Sequence, residues 1–210
     1  MAKVSRKQIL QSFRSRSLLE STRRLIAVEG FDAVTMERVA EEAGITKGAI
    51  YLYFRNKDQM ILAAIEEIAS EMVRGIEGRV DSRAEPWDQL CQVMRAQLAI
   101  MEENKELVRT LLLDRRLMRG GSRSAAARRL LKYRQEHEAV IRKMLEKGVR
   151  RRLFHSVEPA RAAFYINELT ISTAQRRLLG LTQASLEEDI EGLIRFVGLL
   201  LRNQNFNKGH

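Results

Sequence analysis

Residues 45–60 read "ITKGAIYLYFRNKDQM", and the fold turns on how that stretch is paired with its surroundings. Ile50-Tyr51-Leu52-Tyr53-Phe54 has the β-branched and aromatic composition of a strand. Yet a threonine and a glycine precede it and a basic cluster follows. Its flanks argue for a helix. Upstream, Thr35 is an N-cap residue for a short helix, with Glu37 in the first turn as a partner for the helix dipole. Met36, Val39, Ala40 and Ala43 are the apolar positions of that helix, and Gly44 stops it. Thr46 is the next N-cap. Two short helices meeting through a glycine-containing turn outline a helix-turn-helix. Read as a helix from Thr46 to Phe54, the opening stretch places Ile50 and Phe54 at i and i+4 on one face, able to pack on Val39 and on Leu25 or Ile26. Lys47 and Tyr51, and less directly Ala49 and Tyr53, turn outward, and Gly48 allows close backbone approach. Such a face, with a basic exit at Lys57, fits the major groove of DNA.

The pattern stays helical in both directions from there. Upstream, Leu18, Leu19, Thr22, Leu25 and Ile26 share a face, and Gly30 ends the helix as a C′ residue. Residues 1–24 carry seven Lys and Arg against Glu20 alone. The part before residue 17 is either a basic arm or a helical extension, following the DNA backbone, entering a minor groove or remaining a solvated tail. Downstream, helices are expected over about Lys57 to Val80, Trp87 to Glu103 behind Pro86, Leu107 to Met118, Ser124 to Lys147 ending at Gly148, and Pro159 to Leu179 stopped by Gly180. Ser185 opens the last one, with Glu188 completing a capping box. The fold class is therefore all-α, organised as residues 1–60 and residues 61–210.

Composition bounds the function. The chain has 210 residues, 45% hydrophobic and 30% charged, with only two prolines and a formal net charge of +10. That length buries a real core, and that charge suits a polyanionic partner. No run of about 18 apolar residues marks a transmembrane helix, and the N-terminus has no signal-peptide apolar stretch, so a soluble cytoplasmic protein is expected. Cys91 is the single cysteine and reads as a small buried hydrophobe. His137, His155 and His210 have no metal-ligand spacing. There is no phosphate loop and no nucleophile elbow. Neither an enzyme nor a metal or other cofactor is expected.

The stretch Leu18–Met60 closely resembles the DNA-binding domain of TetR-type transcriptional regulators. Gly30-Phe31, Thr35, Val39-Ala40, Ala43-Gly44, Lys47-Gly48-Ala49-Ile50-Tyr51, Tyr53-Phe54 and Lys57 match at fixed spacing. The resemblance implies a three-helix DNA-binding domain followed by a larger helical ligand-binding and dimerisation domain. It also implies roles. Thr46 would cap the recognition helix and reach a phosphate, and Lys47, Gly48 and Ala49 would face base edges. Tyr51 would touch a base or phosphate. Tyr53, where the family commonly has histidine, would touch a phosphate, as would Lys57 and Thr35 at helix N-termini. Tyr51 has a second reading, as packing against the end of the first helix, and Glu37 has two, as a partner for the helix dipole or as a base reader.

The remainder of the chain resembles the family only in length and helicity. Met94, Leu98, Met101, Leu112, Met118, Met144, Phe164, Tyr165 and Asn167 are candidate lining residues for an effector pocket, set against the plainer reading of methionines as core. Thr170 is a further polar residue on an apolar helix. Residues 115–134 carry eight basic residues and no acid, either as a solvated helix face or as a site for an anionic ligand such as an acyl-CoA. The last two helices would pair with a symmetry mate as a homodimer. The resemblance thus points to a repressor released from a double-stranded DNA operator by a small-molecule effector. The alternative is a TetR-like protein with no small ligand, controlled by a protein partner or constitutive. A nonspecific architectural DNA binder is a third possibility.

Overall fold

The computed structural model describes residues 6–113 and 125–202, and among the described residues all regular structure is helical apart from one isolated bridge. In chain order the α-helices are α1 (Arg6–Glu29), α2 (Met36–Glu42), α3 (Lys47–Ile50), α4 (Lys57–Glu77), α5 (Pro86–Glu103), α6 (Lys105–Leu113), α7 (Ala125–Arg150), α8 (Pro159–Leu178) and α9 (Leu186–Leu201). A 3₁₀ turn at Phe31–Ala33 joins α1 to α2. Two compact units divide the chain: Met1–Ala69 with Glu106–Leu130, and Ser70–Lys105 with Leu131–His210.

In the first unit the basic N-terminal stretch is a helical extension, because α1 begins at Arg6. Leu10 and Phe13 remain exposed on it. From Leu18 onward α1 buries Leu18, Leu25 and Ile26. It ends at Gly30, whose amide bonds back to the Ile26 carbonyl and whose φ of 84° favours glycine. Val34, Met36, Val39, Ala40, Ile50 and Phe54 close the same core. Each of these side chains other than Ala40 contributes roughly 1.5–3 kcal/mol if fully buried.

The second unit is held by α5 packed on α8 and α9. Leu90, Val93, Met94 and Leu98 of α5 are fully buried there, with Ile166 of α8 and Val197 of α9. Arg177 of α8 ties the three helices together: it donates to Glu102 of α5 at 3.1 Å, to Asp189 of α9 at 2.8 Å and to the Ala184 carbonyl at 2.9 Å. The expected capping box opens α9, with Glu188 N to Ser185 Oγ at 3.2 Å and Ser185 N to Glu188 Oε2 at 2.7 Å.

Three helix boundaries differ from the sequence expectation. Gly148 does not end α7, which runs on to Arg150. Instead the Phe154 ring sits against it, and a Cβ at Gly148 would lie 2.1 Å from Phe154 Cε2. The glycine is required by ring packing, not by a helix stop. The helix after Asn104 is regular from Lys105 to Leu113, and the residues expected to continue it to Met118 lie outside those described. The regular part of α3 is a single turn, Lys47–Ile50. Beyond it the amides of Leu52 and Tyr53 reach back three residues to Ala49 and Ile50, while Phe54 N bonds Ile50 O at 3.1 Å. The winding tightens, yet Ile50 and Phe54 still share the buried face.

Candidate nucleic-acid interface

The site is assembled by two caps and one glycine. Thr35 Oγ1 accepts from Arg38 N at 3.1 Å and opens α2; Thr46 Oγ1 accepts from Ala49 N at 3.3 Å and opens α3. Between them Gly44 adopts φ +67°, which lets Ile45 N bond the Ala40 carbonyl at 2.9 Å and closes the C-terminus of α2. This turn packs α2 on α3 and leaves one face of α3 outward.

The residues on that face are those expected from the sequence. Thr46, Lys47 and Gly48 are exposed, Tyr51 is 49% exposed, and Ala49 and Tyr53 are half-buried, whereas Ile50 is fully buried. Thr35 and Lys57 are half-buried at the starts of α2 and α4. A Cβ built on Gly48 meets nothing within 4 Å, so its backbone is open to an approaching group. Asn56 caps α4 by accepting from Gln59 N at 2.8 Å, and the Gln59 side chain accepts from Arg55 N at 2.7 Å.

One interaction was not legible in the sequence. Lys47 Nζ lies 2.6 Å from Glu37 Oε1. The hydrogen bond from Lys47 holds the Glu37 carboxyl below its ordinary range, and the carboxylate raises the lysine in turn. In the sequence Glu37 reads as a dipole partner of α2 or as a base reader, and nothing in the spacing of ten residues across a turn signals its pairing with Lys47. Two further cations of this unit are also paired: Arg38 with Glu29 at 2.6 Å and Arg24 with Glu42 at 2.9 Å.

The candidate effector-pocket residues divide. Met94, Leu98 and Met101 of α5 are buried, and Met144 of α7 is half-buried. Phe164 and Tyr165 are not interior: they are 46% and 55% exposed and meet edge-to-face with ring centroids 5.5 Å apart. The buried face of α8 is instead carried by Ile166 among small or polar residues, Ala163, Asn167, Thr170 and Ala174. The Leu112 side chain and Met118 lie outside the described set. Asn167 belongs to a buried polar chain. Its Oδ1 accepts from Gln97 Nε2 at 3.0 Å, its Nδ2 donates to Glu138 Oε1 at 3.2 Å, and Gln97 Oε1 pairs with His137 Nε2 at 3.0 Å. Burial lowers the His137 pKa to about 4, so the imidazole is neutral. Thr170 bonds the Ile166 carbonyl of its own helix. In the Arg-rich segment, Arg129 pairs with Glu66, Lys132 with Glu136, and Arg134 with Glu168. Burial also raises the Cys91 thiol to about 11, fitting an inert side chain. Among the described residues no cluster of three His, Cys, Asp or Glu could hold a metal, and no helix is long and apolar enough to cross a membrane.

A capped pair of short helices with a small, basic, aromatic outer face defines a helix-turn-helix unit. The profile for "Bacterial regulatory proteins, tetR family" matches residues 18–64, and that for a "Tetracyclin repressor-like, C-terminal domain" matches residues 83–175. The chain belongs to the TetR family, which is one of regulatory proteins rather than enzymes. It is 32% identical over 117 residues to the HTH-type transcriptional repressor Rv1474c of Mycobacterium tuberculosis, covering 56% of this chain and 57% of that one. Matches to the first curated relatives span 34% to 51% of those proteins. A TetR transcription regulator from Haloarcula marismortui superposes with a TM-score of 0.79 at 18% identity, covering 91% of this chain and 100% of that one. AibR, solved in complex with isovaleryl coenzyme A and operator DNA, superposes with a TM-score of 0.66 at 19% identity, covering 89% and 97%. At those identities the two structures share the fold.

Proposed function

We propose that the chain is a DNA-binding transcriptional regulator, a homodimeric repressor that leaves its operator when a small molecule binds the second unit. The observation that carries this reading is the division of the α3 region: Ile50 and Phe54 are buried while Thr46, Lys47, Gly48 and Tyr51 face out. A groove-reading helix needs that division, with its first residues at base edges and flanking hydroxyls and cations at phosphates. Lys47, Gly48 and Ala49 read bases; Thr35, Thr46, Tyr53 and Lys57 contact phosphates; Tyr51 contacts either.

Dimerisation is supported by the outer faces of α8 and α9. Phe164, Tyr165 and Leu169 on one helix, and Phe196, Leu199 and Leu200 on the other, are all exposed at helical spacing. Large apolar side chains grouped in this way mark an interaction surface. A two-fold pair would present two α3 helices to successive major grooves ~34 Å apart. Repression is supported by the Mycobacterium tuberculosis relative, a transcriptional repressor. A hydrophobic or anionic effector of acyl-CoA type is supported by the ligand of AibR and by the methionine- and leucine-rich buried face of α5. α4 starts at Lys57 in the first unit and ends in the second. Effector binding that favours a shifted α4 lowers operator affinity by its differential affinity for the two states.

A salt-titrated binding assay tests this reading, comparing the DNA upstream of the chain's own gene with random duplex. The own-promoter duplex is expected to bind at least about a thousandfold tighter at physiological salt, and isovaleryl coenzyme A or a related acyl-CoA is expected to release it. Equal affinity for both duplexes would leave only a nonspecific DNA binder.

A further inference from the structure

We propose that Glu37 is a specificity-determining residue of the DNA-reading surface: it holds the Lys47 ammonium for base edges and withholds it from phosphates. This deepens the regulator reading and rests on it. The geometry begins with what α3 lacks. Lys47 is its first residue, and the positions three and four further on are Ile50 and Tyr51, so its own helix offers no carboxylate. The acid comes from the first turn of α2, 2.6 Å from Nζ. The packing of the helix-turn-helix therefore sets where the ammonium sits, and both side chains are more than half exposed on the outer surface.

An ammonium has three donors. One bond to Glu37 leaves two, enough for the O6 and N7 acceptors of a guanine. A carboxylate beside them can accept from a cytosine amino group on a neighbouring pair. A base edge thus satisfies both members of the pair. A phosphate satisfies only the lysine and brings a second anion against Glu37, a like-charge contact that disfavours it. Lys57 provides the contrast. It forms no ion pair among the described residues, and it stands at the start of α4, where a helix N-terminus favours an anion. The two lysines of one reading surface are thereby sorted, one held for bases and one free for phosphates.

The test uses the full chain and two duplexes: one selected from a random pool by the unaltered protein, and one unselected. Glu37→Gln keeps the side-chain shape and removes the charge. It is expected to tighten binding to the unselected duplex about two- to fivefold, the scale of an exposed ion pair. It should also steepen the salt dependence there by up to about one unit, while gaining nothing on the selected duplex, so the specificity ratio falls. In a Lys47→Gln background the same substitution should change the specificity ratio by less, because only Glu37's own contacts remain. Glu37→Asp, which withdraws the carboxylate by one methylene, should lower the ratio too and covers a Gln variant that folds poorly. An unchanged ratio overturns the proposal, and so does an effect of Glu37→Gln that persists undiminished without Lys47. If the unaltered protein selects no sequence at all, the regulator reading fails first and takes this one with it.

Discussion

In the first unit, Arg24, Arg38 and Lys47 pair with Glu42, Glu29 and Glu37 on the surface of a small apolar core, each pair open to water. In the second, polar groups are carried inward: Gln97, His137 and Asn167 are under a tenth exposed, and Arg177 is 14% exposed between Glu102 and Asp189. Exposed pairs are weak, screened by salt and easily exchanged for other partners. Buried chains are costly to break, because any orphaned member keeps its desolvation penalty. The reading head is therefore built to trade its charge contacts, and the second unit to keep a specific arrangement. Variants that break each arrangement should fail in different ways.

The largest effect is expected at the apolar face. Phe196→Arg places a charge on the exposed apolar face that also carries Leu199 and Leu200. In the proposed dimer it should yield a folded monomer by sedimentation and lower operator affinity by at least about a hundredfold, because one reading helix alone spans half a site. A dimer of unchanged stability would remove α9 from the interface.

Next comes pH. His137 is neutral in the folded chain with a pKa lowered to about 4, against 6.5 for the free side chain. Between those values the unfolded chain binds more protons, so stability rises with pH and is fully present above about 6.5. As pH falls from 6.5 to 4 the linkage removes about 3 kcal/mol. Urea unfolding of the unaltered chain and of His137→Gln, at pH 7 and pH 4.5, should show a smaller loss in the variant. Equal losses would place the imidazole in water.

Much of the first unit was legible because its rules are local. Thr35, Gly44 and Thr46 act on backbone groups within a few residues, and Ile50 and Phe54 are related by helical period. The TetR resemblance then assigned the outer face. The second unit was legible only as helices. Phe164 and Tyr165 suit a pocket lining by residue type, but on α8 the face of smaller and more polar side chains meets the core and the aromatic face is left outward, which helical spacing alone does not reveal. His137, Gln97 and Asn167 stand far apart in the chain, and only folding joins them. The Glu37–Lys47 pair escaped for the same reason at shorter range.

A third prediction concerns packing. Gly148→Ala drives a methyl into the Phe154 ring, which is 3% exposed and meets Trp87 edge-on at 6.4 Å. The ring must move, and Arg202 lies over the same Trp87, with the Phe154–Arg202 bridge beside it. Overpacking of this kind costs about 1–3 kcal/mol. The urea midpoint should fall at an unchanged slope, with DNA affinity retained; loss of affinity at full stability would mean that Gly148 acts on the reading surface.

The smallest effects come from one chemistry used twice. Thr46 and Ser185 are both hydroxyl N-caps, accepting from backbone amides at 3.3 and 3.2 Å. Ser185 also receives the reciprocal bond of a capping box and opens a helix of 16 residues, whereas Thr46 opens a single turn. Replacing either by alanine removes one cap, about 0.5–2 kcal/mol. Ser185→Ala should lower stability and leave DNA binding alone. Thr46→Ala should lower stability less, since α3 is held mainly by the burial of Ile50 and Phe54, yet weaken binding to every duplex, because it disorders the turn that carries Lys47 and removes the proposed phosphate contact. The pair of melting curves and binding isotherms separates a cap that serves the fold from one that serves the ligand. If Thr46→Ala melts early and binds normally, the hydroxyl at the start of α3 is a fold element like its counterpart in α9, and the phosphate contacts must be sought at Tyr53 and Lys57.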